Sequence, residues 1–311
     1  MSPAKPTLRE DVRQLAKGWR WTRRSLTPRS AERWAPAPEP RGFPTAWART
    51  PVARAAREAI LRYGFKPLVW NETDPSVEGR DHLDDLNPPV MFIANHASHL
   101  DTPLVLCSLP KEWRHRTAVA AATDYFFDVK WRAATTALVF NTFPIERTGG
   151  KGATATARKL IDEGWNLLVF PEGTRSRDGW MGRWRHGASS LCLEYGIPAV
   201  PIALRGTFAA MPRGRSWPMN GRYPVSVRFG PPIHAEPDDD FRSMSRRMQQ
   251  AMARLWEEDR STWWESLKLQ AGSGAKLPTG PVGPRWLRVW EATRPIPRRR
   301  PPRVWNDAAD R

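Results

Sequence analysis

Near the end of its first third the sequence reads Val90-Met91-Phe92-Ile93-Ala94-Asn95-His96-Ala97-Ser98-His99-Leu100-Asp101-Thr102-Pro103, an apolar run followed by a polar turn. The run at 90–94 has no Gly or Pro and predicts a buried strand. Proline is well tolerated at a first helical position, so a helix is predicted to begin near Pro103. We therefore expect His96 between a strand and a helix, where open α/β sheets place their ligand sites.

His96 and Asp101 have the chemistry of a general-base pair. A neutral imidazole accepts a proton readily near pH 7 when the correct ring nitrogen faces the reacting hydroxyl. A carboxylate that accepts the other ring N–H fixes the tautomer and stabilises the imidazolium that forms. Because the pair has no serine of its own, it would activate a hydroxyl of the substrate.

Other interpretations of this stretch are open. Asp101 before Thr102-Pro103 also has the composition of a helix N-cap, and Asn95-His96 that of an ordinary turn. His96, His99 and Asp101 are residue types that bind metals, but no downstream Cys, His or Glu cluster completes a site. We therefore expect no metal.

The 311-residue chain has a formal net charge of +17, and most of this charge lies at its two ends. Residues 1–50 contribute +7 and residues 272–311 contribute +6. Such ends point to an anionic partner, either lipid headgroups or nucleic acid. We predict a basic Trp/Arg/Pro-rich extension over 1–45, one domain over 46–271 and a disordered Arg/Pro-rich tail over 272–311.

The cysteines and the hydropathy of the sequence indicate where in the cell the protein is located. Cys107 and Cys192 lie among apolar residues, which favours buried free thiols in a reducing environment. No apolar run approaches the ~20 residues that span a bilayer, and the first residues lack the apolar segment of a secretory signal. We expect a cytoplasmic protein, peripheral on the inner face of the cell membrane.

Strand-like and helix-like segments alternate over 46–271, which predicts a single α/β domain with a mostly parallel sheet covered by helices. Strands are predicted at 65–69, 76–78, 90–94, 116–121, 138–140, 166–170, 200–204 and 225–229, and one long helix at 241–264. A helix over 47–63 is predicted to pack on the core through Val52, Ala56, Ala59, Ile60 and Tyr63. Its Arg and Trp residues also suit a helix lying on anionic lipid.

A second polar turn, Phe170-Pro171-Glu172-Gly173-Thr174-Arg175-Ser176, follows the strand predicted at 166–170. Its Pro and Gly turn the chain sharply and bring Glu172, Thr174 and Arg175 to the edge of the sheet that holds His96. Glu172 could bind a hydroxyl and Arg175 a phosphate. The alternative is a solvated surface turn.

A third stretch, Phe143-Pro144-Ile145-Glu146-Arg147, presents Arg147 to a phosphate or carboxylate in the same way. The glycines that follow it do not form a nucleotide phosphate loop, because Gly152 stands after Lys151 where that loop needs Ser or Thr. No Gly-x-Ser-x-Gly occurs, which disfavours a serine hydrolase.

Taken in order, four stretches resemble the motif blocks of the glycerolipid acyltransferases, the 1-acylglycerol-3-phosphate acyltransferase (PlsC-like) family. The blocks are the His96 to Asp101 stretch, 143–147, 170–176 and Val200-Pro201-Ile202-Ala203-Leu204-Arg205-Gly206, and the resemblance covers residues 76–235. In the family the second block usually opens with Gly, whereas this chain has Asn141.

The resemblance implies that His96 deprotonates a lysophospholipid hydroxyl, which attacks an acyl thioester, and that Asp101 orients His96. By the same matching, the substrate-binding residues would be Arg147, Glu172, Gly173, Thr174, Arg175 and Pro201. A thioester donor, acyl-CoA or acyl carrier protein, explains why no cofactor, metal or enzyme nucleophile is needed.

We therefore expect an O-acyltransferase of phospholipid biosynthesis that acylates lysophosphatidate at an anionic membrane surface and has no nucleic-acid partner. Two alternatives are an acyltransferase with another lyso-lipid or glycolipid acceptor, and a non-catalytic basic module that binds lipid.

Overall fold

The computed structural model describes residues 44–122, 130–145, 154–272 and 276–296. The strands are β1 (Thr73–Glu78), β2 (Met91–Ala94), β3 (Thr117–Ala122), β4 (Thr142–Ile145), β5 (Asn166–Val169), β6 (Ala199–Arg205) and β7 (Tyr223–Phe229). They form one sheet in the order β1-β7-β6-β2-β5-β3-β4. Within the described residues every neighbouring pair is parallel except β6 and β7. The predicted α/β fold with a mostly parallel sheet is confirmed.

Helices connect and cover the strands. They are α1 (Pro51–Ala59), α2 (Lys66–Glu72), α3 (Asp101–Ser108), α4 (Lys111–His115), α5 (Lys130–Phe140), α6 (Ala155–Asp162), α7 (Gly187–Tyr195), α8 (Thr207–Ala210), α9 (Phe241–Arg260), α10 (Trp263–Gly272) and α11 (Arg285–Thr293). Each of these helices is too short or too polar to cross a bilayer.

Strand β2 lies at the centre of the sheet and is buried on both faces. Phe92 and Ala94 pack in one apolar cluster, whereas Met91 and Ile93 pack in another on the opposite face. All four side chains are inaccessible to solvent, which explains the unbroken apolar run. The turn that carries His96 leaves the carboxyl end of this strand.

The helical segment before β1 differs from its prediction. A 3-10 helix (Ala46–Arg49), α1, a π helix (Ile60–Phe65) and α2 follow one another, so the strand predicted at 65–69 is wrong. The buried face of α1 and the π helix consists of Ala53, Arg57 and Leu61. Val52 and Tyr63 of the predicted inward face are 79% and 73% exposed.

Ile60 of the predicted face does pack against the core, and a buried arginine accounts for the rest of the difference. The Arg57 guanidinium donates to the carbonyls of Ala137 and Leu138 at 3.2 and 2.8 Å, and to that of Ala48 at 2.5 Å. The first two carbonyls belong to the last turn of α5, which has no later N–H of its own helix to bind them. Because Arg57 binds these carbonyls, the side of the helical segment that carries Ala53, Arg57 and Leu61 faces the protein interior, although an arginine normally indicates an exposed side.

Two element boundaries also differ. The strand predicted at 138–140 is the end of α5, and β4 begins only after Asn141, which has a left-handed φ of 52°. Glycine favours this conformation and asparagine tolerates it, so Asn141 can stand where the resemblance places a glycine. The single helix predicted at 241–264 is two, α9 and α10, separated at Ser261.

The predicted disorder beyond residue 272 is wrong over 276–296, where the chain crosses the loop at 176–182 and forms α11. Residues 1–43 and 297–311, which make up most of the predicted N-terminal extension and the last part of the predicted tail, lie outside the described residues.

Candidate active site

His96 and Asp101 form the expected pair at the carboxyl end of β2. The Nδ1 atom of His96 lies 2.8 Å from Oδ2 of Asp101. This carboxylate is fully buried and its Oδ2 also accepts the backbone N–H groups of Ala97 and Ser98, each at 2.7 Å. Since Asp101 acts as an acceptor here, the neutral imidazole carries its proton on Nδ1 and leaves Nε2 to accept another.

The imidazole ring is held from a second side by Phe170, the residue that follows β5. The two rings stack with centroids 4.1 Å apart and planes 21° from parallel. The His96 side chain remains 20% exposed and lines a cavity. The base is therefore fixed in orientation and accessible to a substrate.

Glu172 acts on the backbone of the same turn. Its carboxylate accepts the N–H of His96 and the N–H of Gly182, both at 2.9 Å, and the residue is only 7% exposed. Burial raises the pKa of Glu172 to about 7, against the two N–H hydrogen bonds, which lower it; the nearby charges of Asp101 and Asp178 raise it further. Glu172 is not among the described residues that line the cavity, and its contact with the catalytic turn is the hydrogen bond that it accepts from the His96 N–H.

The turn after Phe170 requires glycine at position 173. Gly173 has a φ of +68° and donates its N–H to the carbonyl of Phe170 at 2.9 Å. A Cβ atom at this position would lie 2.8 Å from Nε of Arg185. Gly173, Thr174 and Arg175 all line the cavity.

The cavity beside His96 has a volume of about 880 Å³ and combines apolar walls with basic groups. Phe65 and Phe140 meet edge to face within its lining, with ring centroids 5.3 Å apart. Its basic lining residues include Arg175, Arg185 and Arg213, and Nη1 of Arg213 donates to the Arg175 carbonyl at 3.4 Å. This arrangement suits a ligand with a long apolar part and an anionic group.

The predicted site residues are only partly brought together. His96, Gly173, Thr174 and Arg175 line one cavity with Asp101 behind His96, whereas Pro201 is buried in β6, where its carbonyl accepts the Gly230 N–H at 2.9 Å. Pro201 is absent from the cavity lining that the described residues form. Arg147 lies outside the described residues.

Sequence reasoning missed Arg185 and Arg213, and considered His99 only as a metal ligand. Burial, followed by the proximity of Arg175, His96 and Arg213, lowers the pKa of His99 to about 3, so its imidazole is neutral. The position of His99 between His96 and Asp101 could have indicated that His99 lines the same cavity. The two arginines lie on loops whose sequences gave none.

Comparisons with known proteins place part of this chain among acyltransferases. Residues 74–205 match the family model described as Acyltransferase. A chloroplastic 1-acyl-sn-glycerol-3-phosphate acyltransferase of Arabidopsis thaliana is 30% identical over 203 residues, which cover 64% of this chain and 54% of that protein. A 1-acyl-sn-glycerol-3-phosphate acyltransferase of Pseudomonas aeruginosa is 37% identical over 100 residues, 30% of this chain and 36% of that protein.

The crystal structure of the 1-acyl-sn-glycerophosphate acyltransferase PlsC from Thermotoga maritima shares the fold. It superposes with a TM-score of 0.52 at 21% identity, covering 69% of this chain and 83% of that one. The chain spans about half the length of the curated relatives it matches. Residues 74–205 therefore match an Acyltransferase domain, and the relatives that share this region are named 1-acyl-sn-glycerol-3-phosphate acyltransferases.

Proposed function

We propose that the protein transfers a fatty acyl group from an acyl thioester to the free hydroxyl of lysophosphatidate. The observation that carries this proposal is the His96–Asp101 pair, 2.8 Å apart, beside a cavity of about 880 Å³ whose described lining combines apolar walls with arginines. The names of the relatives from Arabidopsis thaliana and Pseudomonas aeruginosa support the same acceptor.

In the proposed reaction His96 is the general base. Nε2 takes the proton of the acceptor hydroxyl as its oxygen attacks the thioester carbonyl carbon. The buried Asp101 carboxylate stabilises the resulting imidazolium through the 2.8 Å contact at Nδ1. The C–S bond then breaks, the thiolate takes the proton from Nε2, and the ester and free thiol leave without an enzyme nucleophile or a resident cofactor.

The cavity suggests how the acceptor is bound. Arg175, Arg185 and Arg213 line the cavity and would bind its phosphate, since guanidinium groups pair well with phosphate oxygens. Arg147 stays a predicted phosphate contact. The apolar walls would hold an acyl chain, and either acyl-CoA or an acyl carrier protein would supply the thioester.

We further propose that the protein works in the cytoplasm, on the anionic inner face of the cell membrane, without a nucleic-acid partner. Lysophosphatidate and its product are membrane lipids, so the site must meet that surface. Exposed Val52 and Tyr63, with Trp47 at 40% exposure, give the first helical segment an apolar outer side among arginines. Aromatic and basic residues together favour an anionic lipid interface.

Product analysis tests the activity. Purified protein is supplied with lysophosphatidate and labelled acyl-CoA or acyl carrier protein, and the lipids are identified by mass spectrometry, with His96→Ala as the inactive control. Labelled phosphatidate from one donor is expected. Transfer only to another lyso-lipid or a glycolipid would reassign the acceptor, and vesicle binding with no transfer from either donor would favour a non-catalytic lipid-binding module.

A further inference from the structure

Residues 276–296, which we name the C-terminal strap, cross the loop formed by residues 176–182. The strap lies beyond residues 74–205, the part of the chain that matches the family model. The loop lies within that part and directly follows the turn that carries Glu172 and Arg175. A segment outside the family region therefore packs on a loop of the candidate active site.

Arg288 of α11 is the centre of this contact. Its Nε donates to Oδ2 of Asp178 at 2.7 Å, and its carbonyl accepts the indole N–H of Trp180 at 3.0 Å. Its remaining guanidinium nitrogens donate to the carbonyls of Thr279 and Pro281 at 2.7 and 3.0 Å. Burial acts to raise the pKa of Asp178, but hydrogen bonds from Arg288 and Trp180 outweigh it and the pKa lies below its ordinary value.

The strap and the loop also fit closely in shape. Gly280 has a φ of +83° and packs against Trp180, where a Cβ atom would lie 2.5 Å from the indole ring. A Cβ atom on Gly179 would lie 2.5 Å from Cβ of Ala292. The Met181 N–H donates to the Pro278 carbonyl at 3.1 Å. The strap therefore fixes the loop through polar and steric contacts alike.

The opposite side of the loop contacts the turn of the general base. The Ser176 N–H donates to the His96 carbonyl at 2.8 Å, and the Ser176 hydroxyl accepts the Gly179 N–H at 2.9 Å and donates to the Trp180 carbonyl at 2.7 Å. The Gly182 N–H donates to Glu172, which in turn accepts the N–H of His96, both at 2.9 Å. The loop thus supports the His96 peptide on both its carbonyl and its N–H sides.

We propose that Arg288 is a positioning residue for acyl transfer, because it holds the 176–182 loop, and through Ser176 and Glu172 the backbone of His96, in the reactive geometry. The inference rests on the proposed function. Arg288 lies outside the cavity lining of the described residues, so in this proposal it acts on the base and does not itself contact the substrate. Small displacements of a catalytic group lower the rate of the chemical step more than they lower affinity.

Kinetics of matched variants test this role. Arg288→Ala is expected to lower kcat by about 10- to 100-fold with the acceptor KM within about twofold of wild type. Arg294→Ala is the control. Arg294 directly follows the same helix, and its substitution removes the same charge. Among the ion pairs of the described residues it pairs only with Glu291, at 3.4 Å. Asp178→Ala should lower kcat similarly, and the double variant should lose no more than the more impaired single variant, since both act through one contact.

Limited digestion with trypsin gives a readout that needs no activity. Cleavage after Arg177, identified by mass spectrometry, should accelerate in folded Arg288→Ala and stay at the wild-type rate in Arg294→Ala. Unchanged cleavage would show that the strap does not hold the loop, and faster cleavage with unchanged kcat would show that the loop does not position His96. Either result overturns the inference, whereas absence of transfer by the wild-type protein would instead refute the proposed function.

Discussion

At the scale of single residues, His96 is held at its ring by Asp101 and at its peptide by Glu172. We expect His96→Ala to abolish acyl transfer. Asp101→Asn should lower kcat by about 10⁴-fold, because an amide donates to Nδ1 and selects the wrong tautomer. Both effects are measured as initial rates, and thermal unfolding checks that each variant is folded. More than about a tenth of wild-type activity in His96→Ala would rule out its role as the base.

Glu172 gives a prediction about pH. Its pKa is raised from 4.5 to about 7 in the folded protein, so the folded state holds this proton more tightly than the unfolded state does. The stabilisation from this proton is complete below the unfolded pKa and is lost as the pH rises through the folded pKa. Urea unfolding at several pH values should therefore show the wild type losing up to about 3 kcal/mol, relative to Glu172→Gln, between pH 4.5 and about pH 7.5. A constant difference between the two proteins would contradict the raised pKa.

At the scale of elements, Arg57 joins α1 to the end of α5. Arg57→Ala would leave buried carbonyls of Ala48, Ala137 and Leu138 without this donor, so we expect the free energy of unfolding to fall by about 3 kcal/mol or more. Arg62→Ala is the matched control, because Arg62 is exposed on the adjoining π helix. Denaturant unfolding measures both, and equal, small losses would show that Arg57 contributes no more than a surface arginine.

The same contact shows why prediction succeeded for some elements and failed for others. Strand β2 and the turn to α3 were predictable, because their residues carry local signals: an unbroken apolar run, a polar turn and a proline. The inward face of α1 was not, because it depends on carbonyls of α5 that lie about 80 residues away. The strap has Pro- and Gly-rich sequence typical of disorder, yet Gly280 is needed for its close approach to Trp180.

The site divides in a similar way. The His96–Asp101 pair is local in sequence and was predictable from residue types and spacing. The backbone contacts of Glu172 were not, since they join residues 76 positions apart and no side-chain pattern records a peptide N–H as a partner. Pro201 was assigned to the substrate from its block alone, and its buried place in β6 gives it a packing role.

At the scale of the whole molecule, the charge distribution predicts how the protein meets a lipid surface. Each Lys or Arg near an anionic membrane contributes about 1 kcal/mol, and the two ends carry +7 and +6. We expect co-sedimentation with anionic vesicles at low ionic strength and release near about 0.5 M salt, where charges are screened over a few Å. Neutral vesicles are the control. Salt-resistant binding to them would show that apolar insertion provides the attachment.

The central place of β2 also sets the order in which the molecule can be completed during synthesis. Both neighbours of this strand, β5 and β6, follow it in the chain, the nearer by 76 residues. A nascent chain that ends before residue 166 therefore presents Met91-Phe92-Ile93-Ala94 to solvent without either hydrogen-bonded neighbour, and such segments bind chaperones or aggregate. Glu172 and Gly182 are synthesised later still. A chain released early would therefore be prone to aggregation, and its His96 would lack the Glu172 contact that holds its backbone N–H.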